Sequence, residues 1–187
     1  MKKTLTALTL AICAIGSVQA APTQWTIGSG GNDHWYEFVS TPVDWHAARS
    51  AALGSTFGGM WGYLATLTSA NENVFASMLA GNGAALAWIG LTDQITEGNY
   101  QWADGPEAGQ TTGYTNWWGG EPNNCCGGED YIHTNWGAAA RWNDHGGPAN
   151  GGQLNGYLVE YSIPEPMTLG LVMSALLTGA ITRRRRA

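Results

Sequence analysis

Polar and apolar positions change period along the chain. Residues 34–41 (HWYEFVST) alternate as a half-buried strand does, and Asp44 then stands where an N-cap would open a helix running through Trp45, Ala48 and Ala51. Residues 62–67 read as a second strand. Ser69 or Asn71 caps a second helix, on which Val74, Phe75, Met78 and Leu79 form an apolar face. From Ala87 onward the pattern becomes short strands separated by turns: AWIGL at 87–91, NYQWADG at 99–105, EDYIHTN at 129–135, AARWND at 139–144 and GYLVEY at 156–161. Two helices followed by many short strands predict an α+β domain. The strand-poor stretch 104–128 must be a loop, and connections of that length are usually functional.

Both ends depart from this pattern. Residues 1–20 combine Lys2 and Lys3, an apolar run and small residues before a cut after Ala20, which predicts a secretory signal peptide. At the other end Pro164-Glu165-Pro166 precedes sixteen uncharged, mostly apolar residues (167–182) and then four arginines, Arg183 to Arg186. A helix of that length would reach ~24 Å against a hydrocarbon core of ~30 Å, short for a permanent span. The arginines should stay cytoplasmic. Pro-Glu-Pro, apolar helix and arginine cluster, in that order, resemble the PEP-CTERM sorting signal of bacterial surface proteins. That resemblance implies an exosortase-type processing protease as partner, transient anchoring in the membrane through the C-terminal helix, and a cell-surface or extracellular destination. An ordinary tail anchor is the alternative. The expected organisation is a signal peptide at 1–20, a domain at 25–161 and a sorting signal at 162–187.

Without its ends the chain has a different charge. Of 14 acids only Glu165 lies outside residues 21–163, and of 8 basic residues only Arg49 and Arg141 lie inside. The stretch therefore carries 13 acids against 2 bases, a net charge of −11 with neutral histidine. This excludes nucleic acid as a partner, because phosphate binding rests on clustered Lys and Arg. It favours divalent cations.

The loop at 104–128 and the strands after it carry the candidate ligands. Glu121, Asn123, Glu129, Asn143 and Asp144 offer three carboxylates and two side-chain amides, all oxygen donors, and Asp144 can add its backbone carbonyl. Hard oxygen donors in that number suit calcium, which accepts six to eight oxygens at ~2.3–2.6 Å. A carboxylate accepts a hydrogen bond where an Asn NH2 donates one, so an acid and an amide together can hold both sides of a sugar hydroxyl. Glu121 with Asn123, and Glu129 with Asn143, would make two such pairs.

AWIGL at 87–91, NWWGGEPNN at 116–124, GED at 128–130, RWND at 141–144 and the closing GYLVEY resemble the C-type lectin domain, in order and over nearly all of residues 25–161. The resemblance implies a C-type lectin-like fold of two helices with small antiparallel sheets and a long calcium-binding loop. It implies Ca2+ as cofactor, with Glu121, Asn123, Glu129, Asn143 and Asp144 as metal ligands. The first four would also bind sugar, and the Glu121-Pro122 bond would be cis. EPN implies mannose-type sugars with equatorial 3- and 4-hydroxyls, including glucose and GlcNAc, on a glycan or exopolysaccharide. It implies binding rather than catalysis. Trp88, Trp117 and Trp142 would be core and loop-support aromatics.

The departures from the family pattern are specific. Its usual disulfides have no counterpart: Tyr131 and His145 stand where loop cysteines commonly fall, and the first helix has none. Cys125 and Cys126 sit side by side inside the loop, open to a vicinal ring or a bridge between chains. Asp130 and Asn124 suggest a second calcium site whose other ligands are unassigned. Four rival readings stand beside it: zinc held by Cys125, Cys126, His133 and His145, a glycosidase built on Glu121 and Glu129, a formylglycine-generating oxidase of related fold, which needs reactive cysteines and a longer chain, and a surface protein whose calcium only stiffens the loop.

Overall fold

The computed structural model describes residues 20–146 and 152–162, so the expected signal peptide, all but its last residue, and the sorting signal beyond Ser162 lie outside the described residues. The elements in order are β1 (Thr23–Gln24), β2 (Trp35–Val39), α1 (Trp45–Leu53), β3 (Thr56–Phe57), β4 (Met60–Leu64), α2 (Ala70–Leu79), β5 (Ala87–Thr92), β6 (Gln101–Trp102), β7 (Tyr131–Thr134), β8 (Asn143–His145) and β9 (Gly156–Ser162). Among the described residues no helix is long and apolar enough to cross a membrane.

Both helix starts follow from local chemistry. Asp44 Oδ1 accepts from Ala47 N at 2.8 Å, and Ser69 Oγ accepts from Glu72 N at 3.3 Å, so Ser69 rather than Asn71 is the second cap. The buried faces differ from expectation. In α1 Ala52 is buried and Ala51 exposed. In α2 Val74 and Met78 are exposed, and the helix buries Glu72, Asn73, Ala76 and Ser77 instead. Tertiary hydrogen bonds make this possible. Glu72 Oε2 accepts from Thr68 N and Oγ1 at 2.7 Å each, Asn73 Oδ1 accepts from Trp142 Nε1 at 2.8 Å, and the Ser77 and Thr134 hydroxyls lie 2.7 Å apart. A polar side chain satisfied in this way does not incur the cost of dry burial, so the inward face need not be apolar.

The strands form one sheet of nine rather than separate small antiparallel ones. Its main path is β1-β2-β9-β5-β7-β8, with β4 also on β9, β3 on β4 and β6 on β5. The early strand β2 pairs antiparallel with the last, from Trp35↔Tyr161 to Val39↔Tyr157. The junction is parallel: Ala87↔Gly156 and Trp88↔Tyr157 join β5 to β9. Gly90 lets β5 pass close to the end of β4, because a Cβ would lie 2.6 Å from Leu64 O while Gly90 N donates to Ala65 O at 2.9 Å. Two- to five-residue strands are marginal alone, and joining them lets both sides of β5 and β9 be buried. One core gathers Tyr36, Leu67, Ile89, Leu91, Trp142 and Leu158; the other gathers Trp45, Leu64, Trp88, Tyr131 and Val159.

A polar network crosses the first core and sets a pH dependence. Tyr36 OH donates to Glu72 Oε1 at 2.6 Å and reaches Glu160 Oε1 at 3.2 Å, while His34 Nδ1 lies 2.5 Å from Glu160 Oε1. Thr66 N donates to Glu160 Oε2 at 2.9 Å. Burial opposes the charged form of His34, but the hydrogen bond and charge of Glu160 outweigh it and raise its pKa above 6.5. Burial raises Glu160 as well. Both groups hold protons more tightly when folded, so their stabilisation is complete below the unfolded values and is lost as pH rises through the folded ones. The melting temperature is therefore expected to fall as pH rises through neutrality in thermal scans, and His34→Gln should flatten that slope. Buried His133, with a pKa lowered to about 4, slopes the other way on the acid side, so the deciding comparison is between the two proteins: a His34→Gln slope as steep as the wild type's would contradict this network.

Candidate functional site

The site is built on the β7–β8 hairpin, whose register sets Tyr131 opposite His145, Ile132 opposite Asp144 and His133 opposite Asn143. Asn143 and Asp144 open β8, and Glu129 lies two residues before β7; all three are buried. The 121–124 turn crosses above Asp144, whose two oxygens accept from Asn123 N at 3.1 Å and Asn124 N at 2.8 Å. The Glu121-Pro122 peptide is cis. Asn124 adopts a left-handed φ of 46°, which Asn tolerates better than most residues, and its Oδ1 accepts from Glu129 N at 2.8 Å. The turn is thus tied to both acids that follow it.

Glu121 is the group left without compensation. Its Oε2 is buried and has no hydrogen-bond partner. Burial first, then the carboxylates of Asp144 and Glu129, push its pKa up. Two neighbouring carboxylates therefore bear on Glu121 here. Glu129 Oε2 accepts from Cys125 N at 2.9 Å, and its Oε1 lies 3.5 Å from His145 Nδ1. Asn143 differs from the other four: its Nδ2 lies 3.3 Å from His133 Nε2. Among the described residues no three His, Cys, Asp or Glu side chains are gathered closely enough to hold a metal by themselves, so amide oxygens have to complete any cation site. The donor chemistry, with an orphaned carboxylate oxygen in it, fits a hard cation.

Cys125 and Cys126 are bonded to each other within one 3-10 turn, Cys125–Gly127, and both are exposed. That leaves no thiol for the zinc reading. Burial lowers the pKa of His133 to about 4, which keeps its imidazole neutral near pH 7. Tyr131 and His145, paired across the hairpin, are held by rings: Trp45 stacks on Tyr131 at 4.7 Å and Trp88 on His145 at 5.9 Å. Trp88 and Trp142 are fully buried, and Trp117 packs edge-on against Trp142 at 5.8 Å.

One neighbouring acid was missed in the sequence, beside the Asp130 already singled out there for a second calcium site. Asp93 donates its N–H to Asp130 O at 3.2 Å, and its buried Oδ1 has no partner. Burial raises its pKa to about 6. Asp130 is raised by burial and then by Glu97. The turn TDQITEG after β5 held the signal, but only the β5–β7 pairing sets it beside Asp130.

Residues 57–146 match the family model described as Lectin C-type domain. This span is a C-type lectin domain. Similarity to known proteins extends beyond the matched span. The chain is 38% identical over 137 residues to halomucin of Haloquadratum walsbyi, covering 68% of this chain and 1% of that protein. It is 32% identical over 125 residues to the hepatic lectin of Gallus gallus, covering 67% of this chain and 54% of that one. The chain thus spans a small fraction of the first relative and about half of the second. Among solved structures, the C-type lectin CEL-I from Cucumaria echinata superposes with a TM-score of 0.59 at 27% identity, over 72% of this chain and 94% of that one. The cow CD23 carbohydrate-recognition domain, solved in the presence of a GlcNAc2Man3 oligosaccharide, superposes with a TM-score of 0.55 at 26% identity. C-type lectin domains generally bind calcium and carbohydrate.

Proposed function

We propose that this C-type lectin domain is of the EPN/WND type and binds neutral sugars through calcium. Glu121, Asn123, Glu129, Asn143 and Asp144 would hold the ion, and the first four would pair with two adjacent equatorial hydroxyls of a mannose-, GlcNAc- or glucose-type residue. The observation that carries this reading is the buried, partnerless Glu121 Oε2 among mutually repelling carboxylates. Calcium, when bound, supplies the positive charge these acids lack and open coordination positions for sugar oxygens. The chain's own part is to fix the acids and amides around those hydroxyls, with Asp144 holding the 121–124 turn.

On immobilised mannose or GlcNAc the protein is expected to be retained with calcium and released by a chelator. Glu121→Gln with Asn123→Asp should weaken that retention while calcium affinity stays close to wild type, because the swap reverses which side of a hydroxyl meets a donor. Calcium binding with no sugar retained would instead favour a surface protein whose loop the ion only stiffens. The ends of the chain complete the proposal: export through the signal peptide, transient anchoring, and release at the cell surface by an exosortase-type protease acting at Pro164, Glu165 and Pro166. Mass spectrometry of the surface form should then find no Arg183 to Arg186; their presence would refute the processing.

A further inference from the structure

Two indole rings frame the Glu121 end of the site, and the proposed calcium chemistry uses neither as a ligand. Trp118 is 39% exposed and Trp136 is 40% exposed. Both are held in place. Trp118 N donates to Trp142 O at 2.8 Å, and Trp118 O accepts from Glu121 N at 3.0 Å, so this residue and the Glu121 turn share one backbone frame. Gly137 lies over the fused bond of the Trp118 indole: a Cβ there would sit 2.4 Å from Cε2 and 2.6 Å from Cδ2. Its φ of +68° is also one that favours glycine. The indole is thus backed on one face by main chain, which leaves the other for solvent.

Trp136 is fixed from two directions. Its N–H donates to Arg141 O at 3.0 Å, and its ring meets His133 edge-on at 5.9 Å. A rigid ring loses little entropy when a ligand covers it, and it presents a broad apolar face with a polar edge. The natural complement is the C–H face of a pyranose with equatorial substituents.

We propose that Trp118, with Trp136 beside it, forms a stacking subsite for a second sugar of a neutral, β-linked, equatorially substituted chain. This rests on the reading that calcium at Glu121 holds the first sugar. Charge selects among chains. The residues 21–163 carry 13 acids against 2 arginines, and both arginines are engaged: Arg49 with Asp104 at 2.6 Å, and Arg141 with Asn116 Oδ1 at 2.9 Å. Uronate or sulfated chains would meet the repulsion of this acidic excess, which Arg141, hydrogen-bonded only to neutral groups at Asn116 and Trp117, offsets in small part. The subsite extends selectivity from one residue to a run of linked residues, which a single metal-bound sugar cannot supply.

The test compares GlcNAc with β1,4-linked chitotetraose by titration calorimetry on the wild type, Trp118→Ala and Trp118→Phe, each with calcium and with chelator. In the wild type, chitotetraose should bind about tenfold more tightly than GlcNAc, the scale of one aromatic stacking contact. Trp118→Ala should erase that gain while leaving GlcNAc and calcium affinity within twofold, which also shows that the variant is folded. Trp118→Phe should recover part of it. Equal wild-type affinity for both ligands, or a chitotetraose gain that survives Trp118→Ala, overturns the subsite and leaves the calcium reading standing. A Trp118-dependent gain that chelator does not touch supports the subsite and removes its link to calcium. Binding of neither ligand under any condition overturns both.

Discussion

Replacing Asp144 by alanine is expected to lower calcium affinity at least about 100-fold, beyond the range that loss of a supporting group alone produces. Asp144 is fully buried at the start of β8, and its two oxygens hold Asn123 N and Asn124 N. Its loss therefore removes a charge from the proposed site and releases the turn that carries Glu121 and Asn123. Asp144→Asn separates these effects, since an amide keeps one acceptor and the shape but not the charge. It should hold the turn better than alanine and still bind calcium poorly. Glu129→Ala should lose calcium to a similar degree, because that carboxylate is tied both to Cys125 N and, through Asn124, to the same turn. Titration calorimetry of chelator-stripped protein measures all three. Wild-type calcium affinity in Asp144→Ala or Glu129→Ala would show that the ligand set is wrong.

Trp142→Ala should destabilise the domain by about 3–5 kcal/mol, the usual cost of emptying a large buried aromatic site. For a domain of this size the melting temperature would drop by on the order of 10–20 °C. The ring is fully buried and lies edge-on to Tyr114 at 5.5 Å, Trp117 at 5.8 Å and Trp102 at 6.4 Å. Its Nε1 donates to Asn73 Oδ1 at 2.8 Å, which ties α2 to the hairpin. Its main chain holds the loop as well: Trp142 N donates to Asn116 O at 2.9 Å, and Trp118 N donates to Trp142 O at 2.8 Å. Trp142→Phe should fall between, since most of the volume returns but the donor does not. Near-wild-type melting of the alanine variant in thermal scans would mean that the loop does not rest on this residue.

Features that depend on a few adjacent residues were legible in the chain. Asp44 caps its helix because a side-chain oxygen need only reach a backbone N–H three residues on. AWIGL is a buried strand, since an uninterrupted apolar run has no other place to go. The donor types of the loop, carboxylates beside amides with no lysine, likewise belong to the sequence, and so does the net charge that turns the domain away from polyanions. Tertiary structure alone decided the rest, because those outcomes depend on partners distant in the chain. Glu72 and Asn73 could turn inward only once Tyr36 and Trp142 had arrived to satisfy them. Short strands that read as separate small sheets became one when β9 entered between β2 and β5. Gly137 reached the Trp118 ring, and Asp93 reached Asp130, through turns whose geometry no period reveals. Local pattern reports what a residue can do, whereas the satisfaction of a buried polar group depends on which distant atom completes its hydrogen bond.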